Sequence, residues 1–371
     1  MSVKQTTSGP ENVLLAGQQS QSPAQYIRAY LKRVSSGDLG SIPIILGLIL
    51  IAVIFQWQNA NFLTARNFVN LIVQMAGITT IAYGVVFVLL LGEIDLSIGY
   101  VSAVAAVSMT LLLREPGGWP WYLAIGAALL AVAGIGLVQG VIITSFQVPS
   151  FVVTLAGLLA WNGVVLIMIG GAGTVIIQDK MVIGIANYFL PELWGWLMAA
   201  LFVGGFAVMK INGTLTRRRQ GLPATPMPIV IGQVLGLALV AGVAVTVCNQ
   251  DRGVPLVGII LLVFLVMFSF VAMRTPFGRY VYAVGGNKEA ARRAGISVER
   301  IRIIVFMISS VMAGWGGIIL ASRLRSVDTA AGGGNLLLNS IAAAVIGGTS
   351  LFGGSGRVSS AVLGALVIAS V

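Results

Sequence analysis

The sequence contains no histidine and only one cysteine, Cys248. These absences exclude a disulfide framework, cysteine–histidine metal sites and histidine-based acid–base catalysis. Charged residues are also scarce, at 9% of the 371 residues, whereas a soluble domain carries about 25%. A chain with so few charges cannot cover a water-facing surface, and its 57% content of hydrophobic residues predicts an integral membrane protein.

The sequence also lacks a phosphate-binding loop of the form Gly-x-x-x-x-Gly-Lys-Ser/Thr, because no lysine follows the glycine-rich run 347–356. We therefore do not expect the chain to bind ATP by that route or to be an enzyme. Energy for any transport must come from an ion gradient or from a separate ATPase subunit. Ion coupling needs ionisable groups inside the membrane, and Glu93 and Asp95 are the only candidates. A secondary transporter is thus the weaker alternative, and a membrane scaffold without a transport role is the least favoured.

Long apolar runs are abundant, and a transmembrane helix needs about 20 predominantly apolar residues. The eleven candidate runs are 41–57, 68–92, 97–113, 121–146, 149–170, 193–210, 228–248, 254–273, 301–321, 335–352 and 358–371. This pattern predicts an all-α, polytopic helical membrane protein over 41–371, with about 11–12 transmembrane helices, some of them broken at glycine and proline. The last run has only fourteen residues, so we expect an incomplete C-terminal span.

The net charge of +11 could suggest a nucleic-acid partner, but the positions of the cations argue against it. When successive runs alternate in direction, sixteen of the 22 lysines and arginines fall on the same side as the N-terminus. Cytoplasmic loops carry such an excess of cations. We therefore expect a multi-pass protein with a cytoplasmic N-terminus and no nucleic-acid partner.

Residues 1–40 are polar and lack the apolar core of a signal peptide. We interpret them as a cytoplasmic tail. Within the tail, residues 23–34 can form an amphipathic helix with Tyr26, Tyr30 and Val34 on one face. Such a helix would lie on the membrane lipid of the cytoplasmic leaflet. A disordered tail with chance periodicity is the alternative.

A few polar residues interrupt the apolar runs and are candidates for function. Acids at membrane depth are costly and usually mark a function. Glu93 and Asp95 could contribute to gating or contact a solute, whereas Asp95 or Ser97 could instead cap the helix that follows. Further along the chain, Thr154, Asn162 and Asn339 could hydrogen-bond a neutral hydroxylated solute or, equally, neighbouring helices. No metal site is expected.

The stretch 285–296 is predicted to be a short polar helix between two apolar spans. Asn287 can cap its start, and Ser297 can cap the segment that follows. Glu289 lies in the first turn, where an acid favours the helix dipole, and it is four residues before Arg293. Gly295 can close the helix in the left-handed conformation. The stretch is either a docking surface for a cytoplasmic partner or an ordinary basic loop.

Several stretches together resemble a known family. They are Gly-Glu-Ile-Asp-Leu-Ser-Ile-Gly at 92–99, Val-Pro-Ser-Phe-Val-Val-Thr-Leu-Ala-Gly at 148–157, Arg-Thr-Pro-Phe-Gly at 274–278, Tyr-Ala-Val-Gly-Gly-Asn at 282–287, Glu-Ala-Ala-Arg-Arg-Ala-Gly at 289–295, and the run 341–354. The chain resembles the permease subunits of bacterial ABC importers for monosaccharides, the branch with ribose, arabinose and xylose permeases. Within that branch it is most similar to the xylose permeases.

The resemblance implies a type II importer permease of the bacterial inner membrane that works as a homodimer. It also implies two ABC ATPase subunits that carry ATP and Mg²⁺, a periplasmic sugar-binding protein and a monosaccharide substrate. No cofactor is implied for this chain itself. The coupling motif of the family, Glu-Ala-Ala-x-x-x-Gly, falls on Glu289, Ala290, Ala291 and Gly295. The family usually has an acidic pair where this chain has Leu337-Leu338-Asn339, and this departure leaves the sugar open.

Overall fold

The computed structural model describes residues 42–371, which form an almost entirely helical protein. The amphipathic helix predicted for residues 23–34 lies outside the described residues. The helices are α1 (Ile42–Gln58), α2 (Ala65–Leu90), α3 (Ile98–Leu112), α4 (Trp121–Ser145), α5 (Ser150–Ile169), α6 (Lys180–Asn187), α7 (Glu192–Arg219), α8 (Met227–Asn249), α9 (Leu256–Arg274), α10 (Pro276–Gly286), α11 (Lys288–Arg293), α12 (Val298–Leu324), α13 (Leu336–Ile346) and α14 (Val358–Ser370). The polytopic helical fold expected from the sequence is confirmed.

Each of the eleven predicted apolar runs contains a helix. Seven of the described helices are long and apolar enough to cross a membrane, and four shorter apolar helices accompany them. The prediction of one continuous span over 335–352 is wrong, because α13 ends at Ile346. Gly348, Gly353 and Gly354 follow it with positive φ angles, a conformation that a regular helix cannot continue. The predicted span 193–210 lies within α7, which continues beyond it to Arg219.

The described residues divide into two compact units. The smaller one, residues 191–253, is a hairpin in which α7 packs against α8. Its 28-residue first helix is about 42 Å long, enough to cross the roughly 30 Å hydrocarbon core of a bilayer and emerge from it. Arg217, Arg218 and Arg219 occupy its last turn, where cations favour the helix dipole. Cys248 is buried in α8, where it acts as a small packing residue.

The larger unit comprises residues 42–190 and 254–371. Its central element is α12, which contacts α2, α3 and α4. The short connections include two small antiparallel sheets. In the first sheet, β1 (Thr174–Ile176) pairs with β4 (Ser326–Asp328), and in the second, β2 (Phe189–Leu190) pairs with β3 (Val254–Pro255). These pairings satisfy backbone N–H and C=O groups in connections that lie outside the helices.

Glycines on α4 allow its backbone to approach that of α12 closely. Gly136 and Gly140 are one turn apart, a small-residue pattern that promotes helix contact in membranes. A methyl group at Gly136 would lie 2.6 Å from the carbonyl oxygen of Phe306, and one at Gly140 would lie 2.8 Å from the Cα of Ile303. Neither position has room for a side chain, so these glycines set the distance between the two helices.

We expect Gly136→Ala to lower the free energy of unfolding by about 1–3 kcal/mol, because the added methyl group must displace the α12 backbone. Gly134→Ala is the matched control on the same helix, since no atom lies within 4 Å of the position of its new methyl group. That control should be neutral or gain up to about 1 kcal/mol from helix propensity. Unfolding of both variants in detergent measures the difference, and equal stabilities would contradict the proposed packing.

Candidate functional site

The stretch 285–296 folds as the sequence predicts at both of its ends. The helical part is α11, and the Asn287 side chain accepts a hydrogen bond from the backbone N–H of Ala290 at 2.9 Å. Gly295 adopts a φ of 81°, which glycine tolerates without a steric penalty. The backbone N–H of Ile296 then bonds to the carbonyl of Ala291 at 3.1 Å. A six-residue helix is thereby held at its N-terminal and C-terminal ends.

The ion pairs around α11 differ from those expected. Glu289 pairs with Arg292 at 3.0 Å rather than with Arg293, and Arg292 also bonds to Glu299 at 2.8 Å. Arg292 can reach both acids because Glu299 lies in the first turn of α12. The hydrogen bond to Glu299 and the charges of both acids raise the pKa of Arg292 above its ordinary value. Ser297 occupies the cap position of α12, but its side chain makes no capping bond, so that part of the prediction is wrong.

Glu93 is a buried acid that also binds the α11 stretch to the rest of the larger unit. Its side chain is only 4% exposed, and its Oε1 accepts a hydrogen bond from Lys288 Nζ at 3.1 Å and from Arg302 Nε at 2.6 Å. Lys288 is the first residue of α11, and Arg302 lies near the start of α12. A buried carboxylate requires such partners, since an unpaired charge in a low dielectric is strongly unfavourable.

Asp95 lies two residues further along the connection between α2 and α3 and is equally buried. One carboxylate oxygen accepts from the backbone N–H and the hydroxyl of Ser97, at 3.0 and 2.7 Å. The other accepts from the Ser309 hydroxyl on α12, at 3.0 Å. The expected helix cap therefore reaches only the amide of Ser97, the residue before α3, and the Ser97 side chain makes no capping bond.

The segment 93–97 is also attached to α4 and α5. The Thr154 hydroxyl of α5 accepts from the backbone N–H of Leu96 at 3.1 Å. The Gln139 amide of α4 lies 3.2 Å from the Ser97 hydroxyl. Asp95, Ser97 and Thr154 are thus linked through the hydrogen bonds of one segment, while Glu93 at its start bonds to Lys288 and Arg302. Their role in gating or solute contact stays a prediction.

The Gln139 amide is best oriented with its nitrogen towards Ser97. The single proton of the Ser97 hydroxyl is already donated to Asp95, so it cannot also bind an oxygen of Gln139. With the nitrogen beside Ser97, the amide oxygen points to the side of Gly157, where the buried indole N–H of Trp161 has no partner among the described residues. This orientation removes the conflict at the Ser97 hydroxyl, because the Gln139 nitrogen can donate to its oxygen.

The structure does not bring the remaining candidates to this site. Asn162 lies eight residues beyond Thr154 on α5, about 12 Å along the helix axis. Asn339 lies on the short helix α13. Within the described residues there is no group of three or more acids, cysteines or histidines placed to hold a metal ion. Roles for Asn162 and Asn339 in a solute path therefore remain predictions.

A glycine-rich connection packs against the same end of the larger unit. The backbone N–H of Gly354 donates to the carbonyl of Leu90, the last residue of α2, at 2.9 Å. Gly285, near the end of α10, contacts that same carbonyl so closely that a side chain would collide with it. The Tyr282 hydroxyl donates to the carbonyl of Gly356 at 2.8 Å. Three segments distant in sequence thus meet beside α11.

Lys288, Arg302, Gln139 and Ser309 are functional candidates that the sequence did not single out. By sequence alone, Lys288 and Arg302 count only among the cations whose excess on one side sets the orientation. The sequence nevertheless contains a signal for this pairing. An acid between apolar runs, such as Glu93, usually pairs with a cation, and the largest cluster of Lys and Arg residues lies between 274 and 302. The arrangement carries no nucleophile or acid–base pair aimed at a cavity. Its ion pairs and hydrogen bonds join the segment between α2 and α3 to α4, α5, α11 and α12.

Comparison with known proteins places these features in a family. Residues 67–371 match the family described as branched-chain amino acid transport system / permease component. The chain is 38% identical over 344 residues to the xylose transport system permease protein XylH of Escherichia coli K12, covering 91% of this chain and 86% of that protein.

Two relatives of lower identity are also sugar permeases by name. The XylH protein of Haemophilus influenzae is 33% identical over 332 residues, covering 87% of each chain. The ribose import permease protein RbsC of Escherichia coli K12 is 31% identical over 322 residues, covering 86% of this chain and 81% of that protein. No solved structure matches the chain.

We expect Asp95→Asn to destabilise the protein by about 1–3 kcal/mol, because an amide nitrogen cannot accept one of the hydrogen bonds that the buried carboxylate receives. Asp328→Asn is the control, since Asp328 is exposed and asparagine can still accept the hydrogen bond that the Asp328 side chain receives from the N–H of Ala330 at 3.0 Å. That change should stay within about 0.5 kcal/mol. Thermal unfolding in detergent compares the two, and equal melting temperatures would refute the importance of the Asp95 network.

Proposed function

The chain belongs to the branched-chain amino acid transport system / permease component family, and we propose from this premise that it is the permease of an ABC importer for a pentose. Xylose is the first substrate to test, because the relatives at 38% and 33% identity are named as xylose permeases. In this role the chain is a multi-pass protein of the bacterial inner membrane. It provides the route across the bilayer, and ATP is hydrolysed by a partner subunit.

The observation that carries this proposal is the placement of α11. Glu289 is 69% exposed in its side chain, so a cytoplasmic ATPase subunit could contact it directly. The first residue of the same helix, Lys288, binds the buried Glu93. A partner that moves α11 would therefore act on the interior of the permease. This placement supports Glu289, Ala290, Ala291 and Gly295 as the coupling motif.

The remaining parts of the proposal concern orientation, assembly and substrate delivery. We propose that the N-terminus, the α7–α8 turn and α11 are cytoplasmic, which the excess of cations in these segments of the sequence supports. A second copy of the chain completes the permease, and a periplasmic binding protein delivers the sugar. A neutral sugar needs hydrogen-bonding groups along its route and few charges, which suits a chain with 9% charged residues.

A secondary transporter without an ATPase partner is the alternative of a different class. It would need an ionisable group that a coupling ion can reach. Glu93 and Asp95 are each only 4% exposed and are bound by protein groups, which makes them poor sites for a coupling ion. The family membership also favours a permease that depends on a separate ATPase.

We expect Glu289→Arg to lower sugar uptake about tenfold or more, a change equivalent to about 1.4 kcal/mol, because it reverses an exposed charge at the proposed ATPase contact. Insertion and melting temperature should remain near those of the wild type, since exposed ion pairs contribute little to stability. Glu192→Arg provides the control, because Glu192 is an exposed acid in the first turn of α7. Wild-type uptake and ATPase stimulation in Glu289→Arg would remove the coupling role.

Reconstitution separates the two classes of transporter. We expect proteoliposomes that contain the permease and its ATPase subunits to accumulate xylose only when ATP and the loaded binding protein are both present. The permease alone should give no uptake, with or without an ion gradient. Gradient-driven xylose uptake by the permease alone would identify a secondary transporter and overturn the proposal.

A further inference from the structure

We propose that segment 93–97 transmits movement of α11 into the helices of the larger unit, with Glu93 and Asp95 as its two positioning residues. The inference rests on the proposed function, since it concerns how work done by an ATPase partner reaches the transmembrane helices. It assigns to the two acids a mechanical role in place of solute contact. It also adds Lys288 and Arg302 as residues on which coupling depends.

The first step is the attachment of the segment to α11. Glu93 Oε1 is shared by Lys288 of α11 and Arg302 of α12. Both hydrogen bonds join charged groups, which makes them stronger than hydrogen bonds between neutral groups. A displacement of α11 that carries Lys288 with it must therefore either move Glu93 or break the pair.

The second step is the course of the segment along α12. Glu93 and Asp95 are both buried, while Ile94 between them is exposed, the alternation expected of an extended chain. The two acids meet α12 at Arg302 and Ser309, which are seven residues apart and therefore lie on the same face of that helix. Two contacts on one face fix both the position and the direction of the segment along the helix.

The third step is the attachment of the segment to other helices. Ser97 and Leu96 bond to Gln139 of α4 and Thr154 of α5, at 3.2 and 3.1 Å. The segment then continues directly into α3, which begins at Ile98. One five-residue connection is therefore joined to α11, α12, α4, α5 and α3. Movement at Glu93 is transferred to several spans, because the segment cannot move relative to these helices without breaking its hydrogen bonds to them.

The burial of the acids argues against a role in the solute path. Their carboxylates face cations and hydroxyls of the protein, and the remaining oxygen of Glu93 is also buried, without a partner among the described residues. A sugar could reach these groups only after the contacts had broken. The same contacts are well placed to hold helices in a fixed relation.

The triple variant Glu93→Gln/Lys288→Met/Arg302→Gln tests the inference. It removes the charge cluster without leaving an unpaired buried charge, so its melting temperature should stay close to that of the wild type. Uptake by the complex with the ATPase and binding protein should fall roughly tenfold. ATP hydrolysis should lose its stimulation by the loaded binding protein. A stable triple variant with wild-type uptake and stimulation would show that the cluster is structural only and would overturn the inference.

Lys288→Met provides a second test that does not depend on folding of the triple variant. The Lys288 side chain is 46% exposed, and Arg302 still neutralises Glu93, so stability should not change. We expect a loss of uptake of about two- to tenfold, with Lys288→Arg restoring it. The matched control is Arg300→Met, because Arg300 is exposed and lies two residues from Arg302 on α12. Equal uptake in Lys288→Met and Arg300→Met would overturn the inference.

The wild-type complex separates failure of this inference from failure of the proposed function. A wild type that takes up no pentose contradicts the proposed function. A wild type that transports while the triple variant transports equally well contradicts only the transmission role. Normal uptake in the wild type, with loss in the triple variant and in Lys288→Met, supports both.

Discussion

Close contact between α12 and its neighbours is the constraint on which the larger unit depends. Helices in a bilayer gain little from hydrophobic burial, because lipid tails are as apolar as their side chains. Their association therefore depends on close packing, which small residues permit. Gly136 of α4 meets the backbone at Phe306, Gly84 of α2 meets Ser309, and Gly317 meets Ser102 of α3. With its backbone fitted against three helices, α12 cannot shift without moving its neighbours.

The two buried acids are stabilised against the cost of burying a charge by different kinds of partner. Glu93 lies beside the polar α11 stretch, where cations are available, and it is neutralised by Lys288 and Arg302. Asp95 extends further along α12 and is bound by hydroxyl and amide donors. Neutral donors stabilise a carboxylate without bringing further charge into the protein interior. Burying a lysine or arginine beside Asp95 would add a second desolvation cost.

Local features of the fold were predictable from the sequence, and long-range contacts were not. The apolar runs located eleven helices, and Asn287 and Gly295 marked the two ends of α11, because caps depend on neighbours within a few residues. Glu93 bonds to Lys288, which is 195 residues away in the sequence, and to Arg302, which is 209 residues away. No local sequence pattern predicts such contacts. The choice of Arg292 over Arg293 also depended on tertiary structure, since Glu299 becomes a neighbour only when α12 packs beside α11. The sequence does not predict the break at Ile346, because Leu351 and Phe352 extend the apolar character of the run past it. The conformation is decided instead by the glycines with positive φ angles that follow.

Two adjacent side chains of the short helix α11 point in different directions. Glu289 and Lys288 are adjacent in sequence, yet Glu289 is exposed and Lys288 reaches a buried acid. In a six-residue helix these two directions would be lost if the ends frayed. The Asn287 cap and the Gly295 closure prevent that, and Arg292 joins the helix to Glu299 at the start of α12. In the proposed coupling role, a partner that binds the exposed side of α11 would contact a helix with capped ends, whose Lys288 is already paired with Glu93. The proposal thus depends on these capped ends to connect a contact at Glu289 to the interior of the permease.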